Sequence, residues 1–248
     1  MGFNVDSEQK LVTVDHSHNH FCITTPEGNP VHLLLEQQLK VTSIFARTKG
    51  KRDPHMPGDN CPMLYVIKGL HQLKTNRRDI AKLCTSFRKI LPLFIEQGFQ
   101  WDWLVPLPSG SHICRRFAGR VQKITQKGLC VESALAKVNA LSVKQYVRAL
   151  RISAKDKTRI NADINRFISE HGEEEPFQIK AIKNVSLRRF INPFCWGCIP
   201  FGTPPPQKIL LIDDMVTSGT SLISAQMILQ SRYPFAQIEA LTLFGSSR

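Results

Sequence analysis

Long hydrophobic runs are missing from this 248-residue sequence. Its uninterrupted apolar stretches, such as MLYVI at residues 63–67, fall far short of the roughly 20 residues that cross a bilayer. The N-terminal stretch MGFNVDSEQK carries no apolar signal region, and although Gly2 invites N-myristoylation, that motif wants Ser or Thr where Asp6 stands. These absences predict a protein with no membrane partner, located in the cytoplasm. Neither G-x-G-x-x-G nor G-x-x-x-x-G-K-S/T occurs, which argues against dinucleotide and Walker-type nucleotide sites. The seven cysteines are odd in number and scattered through a chain long enough to build a core without staples. A disulfide framework is therefore not expected, and a reducing interior is the simpler context.

Acidic residues are also scarce, 20 against 33 Lys and Arg, for a net charge of +13. The excess is concentrated between residues 110 and 166, where thirteen Lys or Arg face only Glu132, Asp156 and Asp163, a local net charge of +10. Such a field attracts polyanions, either nucleic acid (DNA or RNA) or a small multiply phosphorylated ligand. The competing reading is a set of solvated helix faces.

The length suits one α/β domain with an appendage. KLVTVDHSHNHFCITT alternates apolar and polar residues and is rich in β-branched types, and TKGKRDPHMPGDNCP gathers Gly, Pro and charge. These features predict a β-rich N-terminal extension over residues 1–62, followed by the main unit over residues 63–248. A helix is expected from Asn76, with Ile80, Leu83, Phe87, Ile90, Leu91 and Phe94 at spacings of three and four, a bend at Pro92 and a stop at Gly98. WDWLVPLPSGSH reads as a short strand and turn, followed by a basic helix from about Ile113. Residues 135–167 are expected to form strand and loop pieces and then helix. Residues 177–207, containing NPFCWGCIPFGTPPPQ, read as an irregular flap or hood whose Phe194, Trp196 and Phe201 stack on a ring or fill the core. The end of the chain reads strand, loop, helix, strand, which implies a right-handed parallel crossover.

That last segment, KILLIDDMVTSGTSL, carries the chemistry. In an open parallel sheet, ligands sit beyond the carboxyl ends of the strands, where the next helix presents unpaired N–H groups and its positive dipole end. ILLI reads as the buried strand. Thr217, Ser218, Gly219, Thr220 and Ser221 are small or hydroxylated, as a loop closing its amides around a phosphate monoester must be. Asp213 and Asp214 would repel that phosphate and suit vicinal hydroxyls, as on a ribose, with a divalent cation or basic neighbours offsetting their repulsion. A ribose 5-phosphate unit satisfies both halves. The competing reading is a core strand, a turn and an ordinary helix cap.

The motif Asp213-Asp214-x-x-Thr217-x-Gly219-Thr220 after four apolar residues resembles the phosphoribosyl diphosphate (PRPP) signature of type I phosphoribosyltransferases. Within them the chain is similar to the competence-protein ComF-like branch, through LYVIKG, WLVPLPSGSHICRRFAGR and the last forty residues. The resemblance covers roughly residues 64–248. It implies a phosphoribosyltransferase-like α/β fold, a parallel sheet flanked by helices, that binds PRPP with Mg2+ and transfers or releases a phosphoribosyl group onto a nucleobase or other acceptor, with loss of diphosphate. Asp213 and Asp214 then contact the ribose hydroxyls, residues 217–221 form the 5-phosphate loop, and Ser109, Gly110 and Ser111 form the diphosphate loop. Arg115 and Arg116 open an arginine-rich run where a flexible catalytic loop is expected. A homodimer is common among such proteins. The family's Gly-Phe-Asn after the arginines is here Phe117-Ala118-Gly119, and the four-cysteine zinc module of ComF-like N-termini is absent. The alternative function is a non-catalytic PRPP or nucleotide sensor that binds nucleic acid through the basic middle segment, in DNA uptake or a related process.

Two metal patterns remain. His16, His18, His20 and Cys22 would share one face of a strand, although His16 and His20 would stand about 13 Å apart at ~3.3 Å per residue, too far for one ion. Cys195 and Cys198 have zinc-knuckle spacing without a second pair, so zinc would have to borrow from Cys22, Cys61 or a histidine.

Overall fold

The structure is a computed structural model and describes residues 2–15, 17–48 and 61–247. Its strands are β1 (Gly2–Asp6), β2 (Leu11–Asp15), β3 (Cys22–Ile23), β4 (Val31–Leu34), β5 (Lys40–Arg47), β6 (Trp103–Pro106), β7 (Leu129–Cys130), β8 (Leu135–Lys137), β9 (Phe194–Trp196), β10 (Lys208–Met215) and β11 (Gln237–Ser247). The helices are α1 (Pro62–Lys68), α2 (Arg77–Ile95), α3 (Ile113–Thr125), α4 (Ala140–Ala149), α5 (Ala154–His171) and α6 (Thr220–Arg232). None of these helices is long and apolar enough to cross a membrane.

The architecture is mixed α/β around a mostly parallel sheet flanked by helices. Five strands run parallel in the order β5-β11-β10-β6-β7, and β3 and β4 pair antiparallel with the outer edge of β5. β10 lies at the centre. Its Leu210 and Ile212 enter the apolar core shared with α2 and α3, while Ile209 and Leu211 enter a second core with α6 on the other face. The run ILLI is therefore continuous because both faces of the strand are covered, as in parallel sheets generally. β11 follows α6 and pairs with β10 in parallel, as the strand, loop, helix, strand pattern requires.

α2 follows its sequence pattern closely. The Asn76 side chain accepts from the Asp79 amide at 2.8 Å, the stripe Leu83, Phe87, Ile90, Leu91 and Phe94 is buried, and Gly98 takes a φ of +88° just beyond the end. Pro92 is accommodated within the last turn.

The first strands are built into the same body as the rest. β5 is a full member of the central sheet, with Ser43 Oγ and Thr242 Oγ1 2.7 Å apart in the interior. The β1–β2 hairpin lies against α2, sharing its core through Phe3, Val12 and Val14. The buried Asp79 carboxylate joins the two by accepting from the Val14 amide at 3.0 Å and the Lys82 ammonium at 3.1 Å. The loop composition at residues 49–60 lies outside the described residues.

Residues 138–193, between β8 and β9, form a separate lobe. The antiparallel β8–β9 ribbon is its stalk, and α4, α5 and two 3-10 turns (Ile179–Ala181 and Val185–Phe190) enclose a third core around Val143, Ile160, Ile164, Phe167 and Phe177. Residues 177–193 of the expected flap at 177–207 are thus the last part of a larger insertion that begins with two helices, and residues 194–207 are β9 and the link to β10. Of its three aromatic residues, Phe194 is core, Trp196 packs on Tyr233 at 5.9 Å, and Phe201 is fully exposed.

Removing this buried carboxylate leaves the Val14 amide unpaired and takes the counter-ion from Lys82, whose ammonium keeps only the Val14 carbonyl at 2.9 Å. Asp79→Ala should therefore lower the unfolding free energy by about 2 kcal/mol, read as a reduced urea midpoint. An unchanged midpoint would mean that the Asp79 carboxylate contributes nothing to docking the hairpin.

Candidate functional site

At its carboxyl end β10 delivers Asp213 and Asp214 and then turns into the loop that leads to α6. Val216 still donates to the Phe244 carbonyl at 3.1 Å, but the backbone amides of residues 217–221 have no protein acceptor among the described residues. Regular helical bonding begins only with the Ile223 amide on the Gly219 carbonyl, at 2.9 Å. Gly219 caps the helix at a φ of +75°, a left-handed conformation in which a side chain would be strained. Ser218 Oγ and Thr220 Oγ1 lie 3.0 Å apart at the same helix end. Open amides, hydroxyls and the positive end of a 13-residue helix so converge on one small pocket. Asp213 lines its rim, and its far wall comes from the insertion lobe, through Ile179 and Arg188.

The acid pair is held by three groups. Asp213 Oδ1 accepts from the Asp214 amide at 2.8 Å and faces the Cys114 thiol at 3.6 Å. Asp214 Oδ2 meets the Lys68 ammonium at 2.7 Å, both side chains being mostly buried. Burial, reinforced by the neighbouring Asp214 charge, raises the Asp213 carboxyl from 3.8 to about 7. Burial by itself would lower Lys68, yet the Asp214 carboxylate overrides it and holds the ammonium up. Burial and the two carboxylates push the Cys114 thiol far up, so it stays protonated and donates to Asp213.

Cys114, Asp213 and Asp214 place their ligand atoms within 4.8 Å of one another. A single thiol with two carboxylates, one of them already engaged by Lys68, is not the cysteine- and histidine-rich set that zinc takes. A hard ion such as Mg2+, which takes one or two carboxylates and draws its remaining ligands from water and substrate phosphates, fits the donor set better.

The other expected site residues divide into those brought together and those kept apart. Ser109, Gly110 and Ser111 follow β6, which pairs with β10 through Pro106 and Ile212, so their loop emerges at the same sheet edge as residues 217–221. Within it the Ser111 amide donates to Ser109 Oγ at 3.3 Å. Arg115 and Arg116 lie in the first turn of α3, the basic helix expected from about Ile113 and not the flexible loop that the resemblance implies. Both are exposed, and Arg115 pairs with Glu132 at 3.5 Å; no hydrogen bond or ion pair joins either arginine to the acid pair. It is their buried neighbour Cys114 that reaches Asp213.

The metal patterns require correction. His16 lies outside the described residues, and β2 ends at Asp15, so the histidines do not continue a strand. His18 Nε2 bonds Asn4 Oδ1 at 2.7 Å and its ring stacks on His20 at 4.2 Å, whereas Cys22 is buried in β3. Cys195 and Cys198 are exposed, and among the described residues no third metal-binding side chain joins either.

Lys68, Cys114 and Arg188 went unassigned in the sequence. Lys68 was visible as a lone cation at the end of LYVIKG, just before Gly69, but nothing local pointed it at Asp214. Cys114 lies inside the segment ICRR, where the arginines draw the eye. Arg188 has no local signal, because only the folding of the insertion brings it to the pocket.

Since the Asp213 carboxyl is raised in the native state, the folded protein retains a proton that the unfolded chain releases above about pH 4. Its cost to stability grows as the pH climbs from about 4 to about 7 and is constant above that. Asp213→Asn removes the cost, so the variant should melt roughly 10 °C above the parent at pH 8, the gain shrinking towards pH 4. Thermal melts across that range test this; a difference independent of pH would rule out a perturbed carboxyl.

No family model matches the chain, and no curated protein matches it.

Proposed function

We propose that this chain is a phosphoribosyltransferase-like protein that binds PRPP with Mg2+ at the carboxyl edge of its central sheet and transfers or releases the phosphoribosyl group. The observation that carries the reading is the pairing, at the end of one strand, of two carboxylates with a loop whose amides have no acceptor among the described residues. Residues 217–221 hold the 5-phosphate. Asp213 and Asp214 accept from the ribose hydroxyls, with Lys68 offsetting their mutual repulsion. The Ser109–Gly110–Ser111 loop, on the adjoining strand, receives the diphosphate. Mg2+, held by the diphosphate with help from Asp213, would neutralise charge on the leaving group.

The catalytic work left to the protein is chiefly positioning. The phosphate anchor and the acid pair fix the ribose at two ends, holding its anomeric carbon towards the insertion lobe for an acceptor nitrogen. Asp214, joined by Asp213 once that carboxyl has released its proton, favours the positive charge that develops near the ring as the bond to diphosphate breaks. PRPP with Mg2+ should raise the melting temperature of the parent, and the double variant Asp213→Asn, Asp214→Asn should abolish that shift. With an acceptor base, diphosphate release should fall at least 100-fold in the double variant, measured by a coupled phosphate assay. An equal PRPP response in parent and variant would sink the assignment.

A second reading draws on α3, where Arg115, Arg116, Arg120 and Lys123 lie exposed along one helix with Glu132 the paired acid. Such a surface favours DNA or RNA as a partner of the same protein. Affinity for single- or double-stranded DNA should fall steeply with salt, and replacing Arg115, Arg116 and Arg120 should reduce the slope of log K against log salt by about 2–3. Binding insensitive to salt would exclude this partner.

A further inference from the structure

We infer that the insertion lobe completes the phosphate site: Arg188, across the pocket from residues 217–221, contacts the terminal phosphate monoester, so that the ligand is gripped between two lobes. The inference rests on the reading of residues 217–221 as a phosphate loop and adds to it a residue from a different core.

The pocket has two walls of separate origin. One is the turn from β10 into α6; the other is Ile179 and Arg188, carried by the two 3-10 turns of the insertion. Arg188 Nε donates to the Ile182 carbonyl at 2.9 Å, and one terminal nitrogen leans on the Lys180 carbonyl at 3.5 Å. Both acceptors are neutral. Among the described residues no carboxylate lies within ion-pair distance of this guanidinium, although the lobe's Arg166 is paired with Asp163 at 3.0 Å.

That Asp163–Arg166 pair has a role in the arrangement. Asp163 accepts from the Lys183 amide at 2.9 Å and Arg166 donates to the Ala181 carbonyl at 3.0 Å, so α5 fixes residues 181–183 from both sides. The same segment offers the Ile182 carbonyl that orients Arg188. A half-buried arginine is thus braced through its Nε, with no counter-ion among the described residues, in a pocket that residues 217–221 also line. The turn brings the amides and hydroxyls of residues 217–221, the lobe brings the Arg188 guanidinium, and Asp213 is the one carboxylate among the lining residues. A dianionic phosphate monoester is the chemistry this arrangement recognises: guanidinium forks match its oxygens, and the amides satisfy the rest.

The probe is ribose 5-phosphate, titrated calorimetrically into the parent and into Arg188→Ala, Arg188→Gln and Arg188→Lys. A lost charge-assisted contact predicts affinity about 10–100-fold weaker for Arg188→Ala. Arg188→Gln, which keeps a donor for the Ile182 carbonyl without the charge, should lose as much, and Arg188→Lys should recover part. Circular dichroism and melting of the ligand-free variants confirm that the lobe stays folded. Parental binding with Arg188→Gln equal to the parent overturns the cross-lobe contact and leaves the phosphate loop standing. A parent that binds no ribose 5-phosphate overturns the phosphate loop itself, and this contact with it.

Discussion

Two adjacent carboxylates at the end of a buried strand repel each other, and the Lys68 ammonium against Asp214 is what the arrangement depends on. At close range and away from bulk water such repulsion is worth several times its value in solution. Lys68 is the last residue of α1, where the helix dipole also favours a cation, and Gly69 ends that helix in the left-handed conformation. The placing of α1 therefore determines which carboxylate meets the cation. Asp214 takes the cation, and Asp213 is left poised, its proton held by burial and by its neighbour.

The parts of this site that were legible in the sequence are those made by consecutive residues. A buried strand, two acids, a hydroxyl-rich turn with one glycine, a helix and a returning strand are local patterns, and β10, α6 and β11 follow them with boundaries shifted by a few residues. The neighbouring Ser109–Gly110–Ser111 loop was legible for the same reason. Lys68 and Arg188 were hidden because each is brought to the site by tertiary packing rather than by spacing. Arg115 and Arg116 misled in the opposite sense: their charge is conspicuous, but helical geometry turns them to solvent and turns Cys114 inward. The histidine run failed as a metal pattern because its alternation suggested a strand that stops at Asp15.

The two lobes divide the work by how they are built. The core sheet is buried on both faces, which fixes its strand ends and the groups they carry. The insertion has its own apolar centre and joins the sheet through the short β8–β9 stalk. At that stalk Gly197 passes so close to the Ser133 carbonyl that a Cβ would lie 2.0 Å from it, a clash with backbone that cannot yield. The stalk thus sets where the lobe sits above the sheet edge, and with it how far Arg188 stands from the loop of residues 217–221.

The contact between Ser43 and Thr242 spans 199 residues, because β5 lies beside β11 in the middle of the sheet. During translation at roughly 5–20 residues per second, the inner edge of β5 waits on the order of 10–40 s for its partner strand to be made. For that interval a row of unpaired backbone groups, flanked by Val41, Ile44 and Phe45, is a template that any passing extended chain can extend. The nascent protein is therefore most open to misassembly while the pocket at the β10–α6 turn is still unmade.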